Sequence, residues 1–189
     1  MLSQAFNTAN EAHKGQKRRS GSPYIEHPVK VAHLLMGLFP FDTPLICAGY
    51  LHDVLEDTDI SKEYIQNHFG SNVLSLVEEV TNNTDEYEKF DGKVGYQLDR
   101  MKSMSSRALL LKMCDIFSNV SDLFSVPSKY LDWYIHYAEG KKFILENIVF
   151  DKEDRYISAS LLLSSVIKNM IMDYLKYVDD AFKIRGDLK

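Results

Sequence analysis

Apolar residues in this chain recur at intervals of three and four nearly from end to end, and the strict alternation of a half-buried strand is almost absent. That spacing puts the apolar side chains on one face of successive helices, so the expected fold is all-α. The start and stop residues predict helices over 3–14, from His27-Pro28 to about 37, from Thr43-Pro44 through Leu55, from Asp59 or Ser61 to just before Gly70, and from Ser71 to Val80. Residues 82–95, rich in Asn, Asp and Glu, read as a long loop, a place where function concentrates. Further helices are expected over 106–124, 128–148 and 153–183, about eight in all. With 189 residues and 45% hydrophobic composition, the chain fits one domain over 1–189 with a substantial core.

The net charge of -5 argues against a duplex nucleic acid as partner, because such binding needs many phosphates neutralised. No run approaches the roughly 18 apolar residues of a membrane span, and Met1-Leu2-Ser3-Gln4 lacks the layout of a secretory signal. Cys47 and Cys114, far apart in apolar contexts, suit reduced thiols, so a soluble cytoplasmic protein is expected. One segment runs against the acidic balance. Lys14-Gly15-Gln16-Lys17-Arg18-Arg19 holds four cations in six residues, which is either a solvated turn or a grip for a small, highly anionic ligand.

His52-Asp53 supplies an imidazole beside a carboxylate, a mixed N/O donor pair suited to Mn, Fe, Co or Zn. Glu56 and Asp57 lie one helical turn beyond them and place two more acids on the same rim. Carboxylates there could steer a water or protonate a leaving group without entering the coordination sphere. Read otherwise, the cluster is an exposed acidic helix end, although acids at a helix C-terminus oppose the dipole. Asp115 sits in the apolar stretch Leu109-Leu110-Leu111-Lys112-Met113-Cys114-Asp115-Ile116-Phe117, where a carboxylate is costly unless it binds a metal or pairs with Lys112 or a backbone cap. Asn119, one turn on, shares its face. His13, His33, His68 and His136 stand singly and read as hydrogen-bonding residues, and the aromatic stripe Tyr130, Trp133, Tyr134 and Tyr137 reads as packing.

Three segments, in order, resemble one family. His13 to Pro28 looks like the opening motif of the hydrolase domain in RelA/SpoT proteins, which degrade the alarmone (p)ppGpp; Leu51-His52-Asp53-Val54-Leu55-Glu56-Asp57-Thr58 resembles its HDxxEDT motif; and Lys112 to Asn119 resembles its KxADRxxN motif. Length and layout are similar to the stand-alone small alarmone hydrolases, including the metazoan SpoT homologue. The resemblance implies an HD-domain helical bundle, a manganese site formed by His27, His52, Asp53 and Asp115, and a catalytic acid pair in Glu56 and Asp57. It also implies substrate contacts from Arg18, Arg19, Asn119 and Tyr134, to which the charge run adds Lys14. The implied reaction removes the 3′-pyrophosphate of a small phosphorylated nucleotide, (p)ppGpp, to leave GDP or GTP. The chain departs from the pattern at Ile116 and Ser121, where the family has basic residues, and at Asn82-Asn83-Thr84-Asp85, where it presents charged ones. A pocket less cationic on one side is therefore expected. Alternatives are an HD phosphohydrolase acting on another nucleotide, such as NADPH or a dNTP, and a non-catalytic nucleotide-binding regulator. Loss of a ligand or acid would mark the last, and none is lost.

Overall fold

In the computed structural model, which describes residues 1–90, 92–125, 127–150 and 154–186, the chain is a helical bundle. The α-helices are α1 (Leu2–Ala12), α2 (Glu26–Leu38), α3 (Thr43–Leu51), α4 (Val54–Asp57), α5 (Lys62–Phe69), α6 (Ser71–Val80), α7 (Gly92–Ser103), α8 (Ser106–Ser121), α9 (Leu131–Asn147) and α10 (Arg155–Gly186). Short 3-10 turns occupy Thr84–Lys89, Leu123–Ser125 and Ser128–Tyr130. Among the described residues the one strand-like pairing is an isolated bridge between Lys17 and Pro23. No helix of the described residues is long and apolar enough to cross a membrane.

Two helices are central. Every residue of α3 from Leu45 to Leu51 is buried, because that helix is apolar on all sides, and so is α8 from Ala108 through Ile116, where the two charged residues Lys112 and Asp115 pair with each other. α8 packs against α2, α3, α6 and α10, while α3 packs against α1, α2 and α6. Gly49 makes the α2–α3 approach possible: a Cβ there would stand 2.8 Å from Leu35 Cδ1 and 3.0 Å from the Ala32 Cα. Each buried Leu or Ile in these helices contributes about 1.5–3 kcal/mol.

The structure corrects the expected elements in four places. The helix expected from Thr43 through Leu55 stops at Leu51, and His52-Asp53 form a turn before α4. Both residues keep right-handed helical dihedrals, φ −62° at His52 and −99° at Asp53, so no glycine or proline marks the break. The loop expected over 82–95 contains a 3-10 turn and the start of α7. That helix is poor in apolar residues and is secured by burying Tyr96, Gln97 and Met101 and by packing on α9, which local periodicity does not show. The broken helix and α7 bring the expected eight helices to ten among the described residues. Caps also differ: Asp42 rather than Thr43 caps α3, and Gly70 rather than Ser71 precedes α6, whereas Ser61 caps α5 as expected. The expected start of the last helix at residue 153 lies outside the described residues.

Asp42 ties three elements together. Its carboxylate accepts from Leu45 N at the start of α3, from the Arg107 guanidinium of α8 and from Tyr156 Oη of α10. Burial alone would raise this carboxyl, but Arg107 and then Tyr156 hold it below the ordinary value of 3.8. Asp42→Ala removes the cap and strands Arg107, and is expected to cost about 2 kcal/mol. In a thermal melt that is roughly 4–8 °C for a chain of this size. A carboxyl depressed in the folded state stabilises fully above its unfolded pKa and ceases to do so as pH falls through the folded one. The gap between wild type and variant should therefore close under acid conditions and be full at neutral pH.

Candidate metal centre

The end of α3, the start of α2 and the middle of α8 meet at one point. His52 is the C-cap of α3, His27 lies in the first turn of α2, and Asp115 projects from α8. One ligand atom from each of these three residues lies within 4.8 Å of the other two. The two imidazoles face one another through Nε2 at 3.2 Å, and Asp115 Oδ1 is 3.2 Å from His27 Nε2 and 3.9 Å from His52 Nε2. Asp53 completes the approach, with Oδ1 3.2 Å from His52 Nε2 and Oδ2 3.5 Å from His27 Nε2.

The outer atoms of the two rings decide what the inner ones offer. His52 Nδ1 is 3.0 Å from the Gly49 carbonyl, which only accepts, so Nδ1 carries the proton and Nε2 of the neutral ring presents a lone pair. His27 Nδ1 is 2.9 Å from Ser118 Oγ, which can accept in the same way. Burial lowers the His27 pKa and favours its neutral form. Lone pairs from two buried imidazoles and oxygens from two carboxylates then converge, an arrangement that repels itself unless a cation sits among them. The N₂O₂ donor set and the fixed outer nitrogens fit a divalent transition metal.

The Asp115 alternatives are not exclusive. Oδ2 pairs with Lys112 Nζ at 2.8 Å, while Oδ1 faces His27 and accepts from Asn119 Nδ2 at 2.7 Å. Burial alone would raise this carboxyl; Lys112 and then His27 hold it well below the usual range.

A cavity of about 380 Å³ opens from His27, Asp53 and Asp115. Glu56 and Asp57 line it, each held from outside: Glu56 Oε2 accepts from Asn82 N at 3.0 Å and Asn82 Nδ2 at 2.9 Å, and Asp57 Oδ2 accepts from Tyr24 Oη at 2.9 Å. The same phenol oxygen is 2.7 Å from Asp53 Oδ2, so its single O–H proton is shared between ligand and acid. Burial, and then the negative charge of Asp53 and Asp57, raises the Tyr24 phenol far above its usual range, so it stays a donor. The sequence reading missed Tyr24, although it lies inside the first motif three residues before His27.

The basic run divides. Arg18 reaches the cavity, donating to Asn119 Oδ1 at 2.8 Å and Asp122 Oδ2 at 2.9 Å. Arg19 lies 3.9 Å above the Trp133 ring in an adjoining recess that Tyr134 also lines. Lys14 does not join them: it is exposed, pairs with Glu11 at 3.2 Å and lines neither space. The turn that sorts them is held by Arg18 N to Ser22 O at 2.9 Å and Tyr24 N to Gln16 O at 3.0 Å, with Gly15 and Gly21 at φ +83° and +96°. Trp133 and Tyr137, expected as packing, line the cavity, so part of the aromatic stripe is site wall. Ile116 is in the core and Ser121 faces a separate groove. Neither departure from the motif lines the cavity, whose cations are Arg18, Lys93, Lys112 and Lys141.

Residues 5–123 match the HD domain family model. A Vibrio cholerae guanosine-3′,5′-bis(diphosphate) 3′-pyrophosphohydrolase is 38% identical over 128 residues, 65% of this chain and 18% of that protein. The Xenopus tropicalis guanosine-3′,5′-bis(diphosphate) 3′-pyrophosphohydrolase MESH1 is 38% identical over 128 residues, 65% of this chain and 69% of that protein. The chain spans only 17–20% of the length of the first curated relatives it matches. A solved metazoan ortholog of SpoT, which hydrolyzes ppGpp and plays a role in starvation responses, superposes with a TM-score of 0.67 at 24% identity, over 93% of this chain and 94% of that one. That likeness establishes a shared fold.

Proposed function

The chain belongs to the HD domain family, and within it to the RelA/SpoT-type hydrolases; from that premise we propose that it is a manganese-dependent phosphohydrolase that removes the 3′-pyrophosphate of (p)ppGpp. The observation that carries the reading is the convergence of His27 Nε2, His52 Nε2 and Asp115 Oδ1 within 4.8 Å at the edge of a cavity with four cations and a carboxylate pair.

The metal would be held by His27, His52, Asp115 and Asp53; the Asp53 oxygens already approach both rings. When bound, it supplies Lewis-acid activation of a water and of the phosphoryl group. Glu56 and Asp57 would orient an attacking water, one of the pair accepting its proton at a carboxylate oxygen, since each lines the cavity from a fixed partner, Asn82 or Tyr24. Arg18 offers its guanidinium to a phosphate from a position fixed by Asn119 and Asp122. The recess of Arg19, Tyr134 and Trp133 suits a nucleobase, because indole and guanidinium planes both stack on a purine. Water adds across the bond between the 3′ oxygen and phosphorus, releasing pyrophosphate and leaving GDP from ppGpp or GTP from pppGpp. The site serves a small nucleotide in the cytoplasm, in keeping with two buried free thiols. The whole of residues 1–189 serves as one catalytic domain.

The test is a substrate panel. Manganese-loaded protein is incubated with ppGpp, NADPH and the four dNTPs, and products are resolved by chromatography. Turnover of ppGpp at least tenfold above the others is expected; turnover of NADPH or a dNTP without ppGpp would move the substrate and leave the metal chemistry standing, and no turnover of any would favour a binding protein.

A further inference from the structure

The wall of the cavity formed by α7, α8 and α9 contains two buried lysines with different surroundings. Lys112 Nζ is neutralised by Asp115 Oδ2 at 2.8 Å. Lys141, only 6% exposed, has no carboxylate within ion-pair distance among the described residues; its Nζ donates to Gln97 Oε1 at 2.7 Å and lies 5.3 Å from the Tyr137 ring centroid, and Gln97 is itself 6% exposed. Placing an ammonium out of water costs several kcal/mol unless an anion compensates it, and a neutral amide with an aromatic ring compensates only in part. An unpaired lysine is therefore an expensive choice for a cavity wall, where a Leu or Met would pack as well, unless the missing anion arrives with a ligand.

We infer that Lys141, presented by Gln97, grips an anionic phosphate oxygen of the substrate and so helps set which phosphorylated nucleotides the chain accepts. This rests on the reading of the cavity as a nucleotide phosphohydrolase site. Lys141 lines the same cavity as Lys112, from α9 rather than α8. Burial, and then the charge of Lys112, draw the Lys141 pKa down to about 7, so a phosphate oxygen beside it would restore full charge. Gly140 supports the arrangement, since a Cβ there would stand 2.9 Å from Val94 Cγ2 and hold α9 away from α7.

Two measurements test it. In the manganese-loaded Lys141→Met variant, the KM of whichever nucleotide the wild type turns over is expected to rise roughly tenfold to a hundredfold with little change in kcat, and Lys141→Arg should recover part of the loss. In the wild-type protein, a brief pulse of a small amine-reactive reagent at pH 7, read by mass spectrometry, should label Lys141, and inorganic pyrophosphate with manganese in excess should suppress that labelling several-fold. Equal labelling with and without pyrophosphate, no labelling in either case, or an unchanged KM in Lys141→Met would overturn the inference. A protein that hydrolyses no guanosine nucleotide but protects Lys141 with pyrophosphate loses the substrate reading and keeps the anion site. One that hydrolyses ppGpp with Lys141 unprotected does the reverse.

Discussion

His52→Ala should yield a folded protein that emerges from desalting without its divalent metal and hydrolyses nucleotide at least a thousandfold more slowly, in order-of-magnitude terms. The expectation rests on the ring's position rather than on its residue type. His52 Nδ1 is committed to the Gly49 carbonyl, so Nε2 has no task but to face His27 Nε2, 3.2 Å away, and Asp53 Oδ1, also 3.2 Å away. Even outer partners of metal-ligating histidines cost about 10–100-fold in affinity when removed, and a direct ligand costs more. Metal content by elemental analysis, circular dichroism and turnover, measured on one preparation, separate loss of the ligand from loss of the fold. Asp53→Ala should behave likewise. A His52→Ala protein that retains stoichiometric metal would show that the convergence at the end of α3 is a hydrogen-bonded cluster and no more.

Glu56→Gln should leave the metal in place and slow turnover about a hundredfold to ten-thousandfold, the range that a positioned acid or base contributes. Glutamine keeps an oxygen that can accept from Asn82 N and Nδ2, as Glu56 Oε2 does at 3.0 and 2.9 Å, so its geometry is preserved while its charge is lost. The Asp53 oxygens stand 3.2 and 3.5 Å from the two ring Nε2 atoms, whereas Glu56 Oε2 is engaged by Asn82 instead, so metal affinity should barely move. The division of labour is read by comparing Glu56→Gln with Asp53→Ala for metal content and kcat. Equal loss of metal in both would mean that Glu56 acts through the coordination sphere.

Much of this site is legible in the sequence because it is local. His52, Asp53, Glu56 and Asp57 fall within six residues, and the Asp57 N to Asp53 O hydrogen bond of 2.9 Å preserves the one-turn spacing although the helix breaks at His52. Asp115 is legible for a different reason: a carboxylate in an otherwise apolar helix needs a partner, and it has three in Lys112, His27 and Asn119. What the sequence conceals is set over long distances. Lys14 and Arg18 belong to one basic run, yet a turn held by two glycines sends one to solvent and the other into the cavity. Lys141 and Gln97 look like ordinary surface residues until α7 packs on α9, and α7 itself has too few apolar residues to announce a helix. The aromatic stripe of α9 divides in the same way, because which of its faces meets the cavity depends on where the first motif brings Arg19.

The central claim is that metal held at the junction of α2, α3 and α8 drives removal of a 3′-pyrophosphate. Ion-exchange chromatography of the products from ppGpp mixed with manganese-loaded protein, then with chelator, then with manganese restored, tests it most directly. The account predicts equal amounts of GDP and inorganic pyrophosphate, arrest on chelation and recovery on restoring the metal. Orthophosphate as first product, cleavage at the 5′ diphosphate, or turnover that continues in chelator would contradict it.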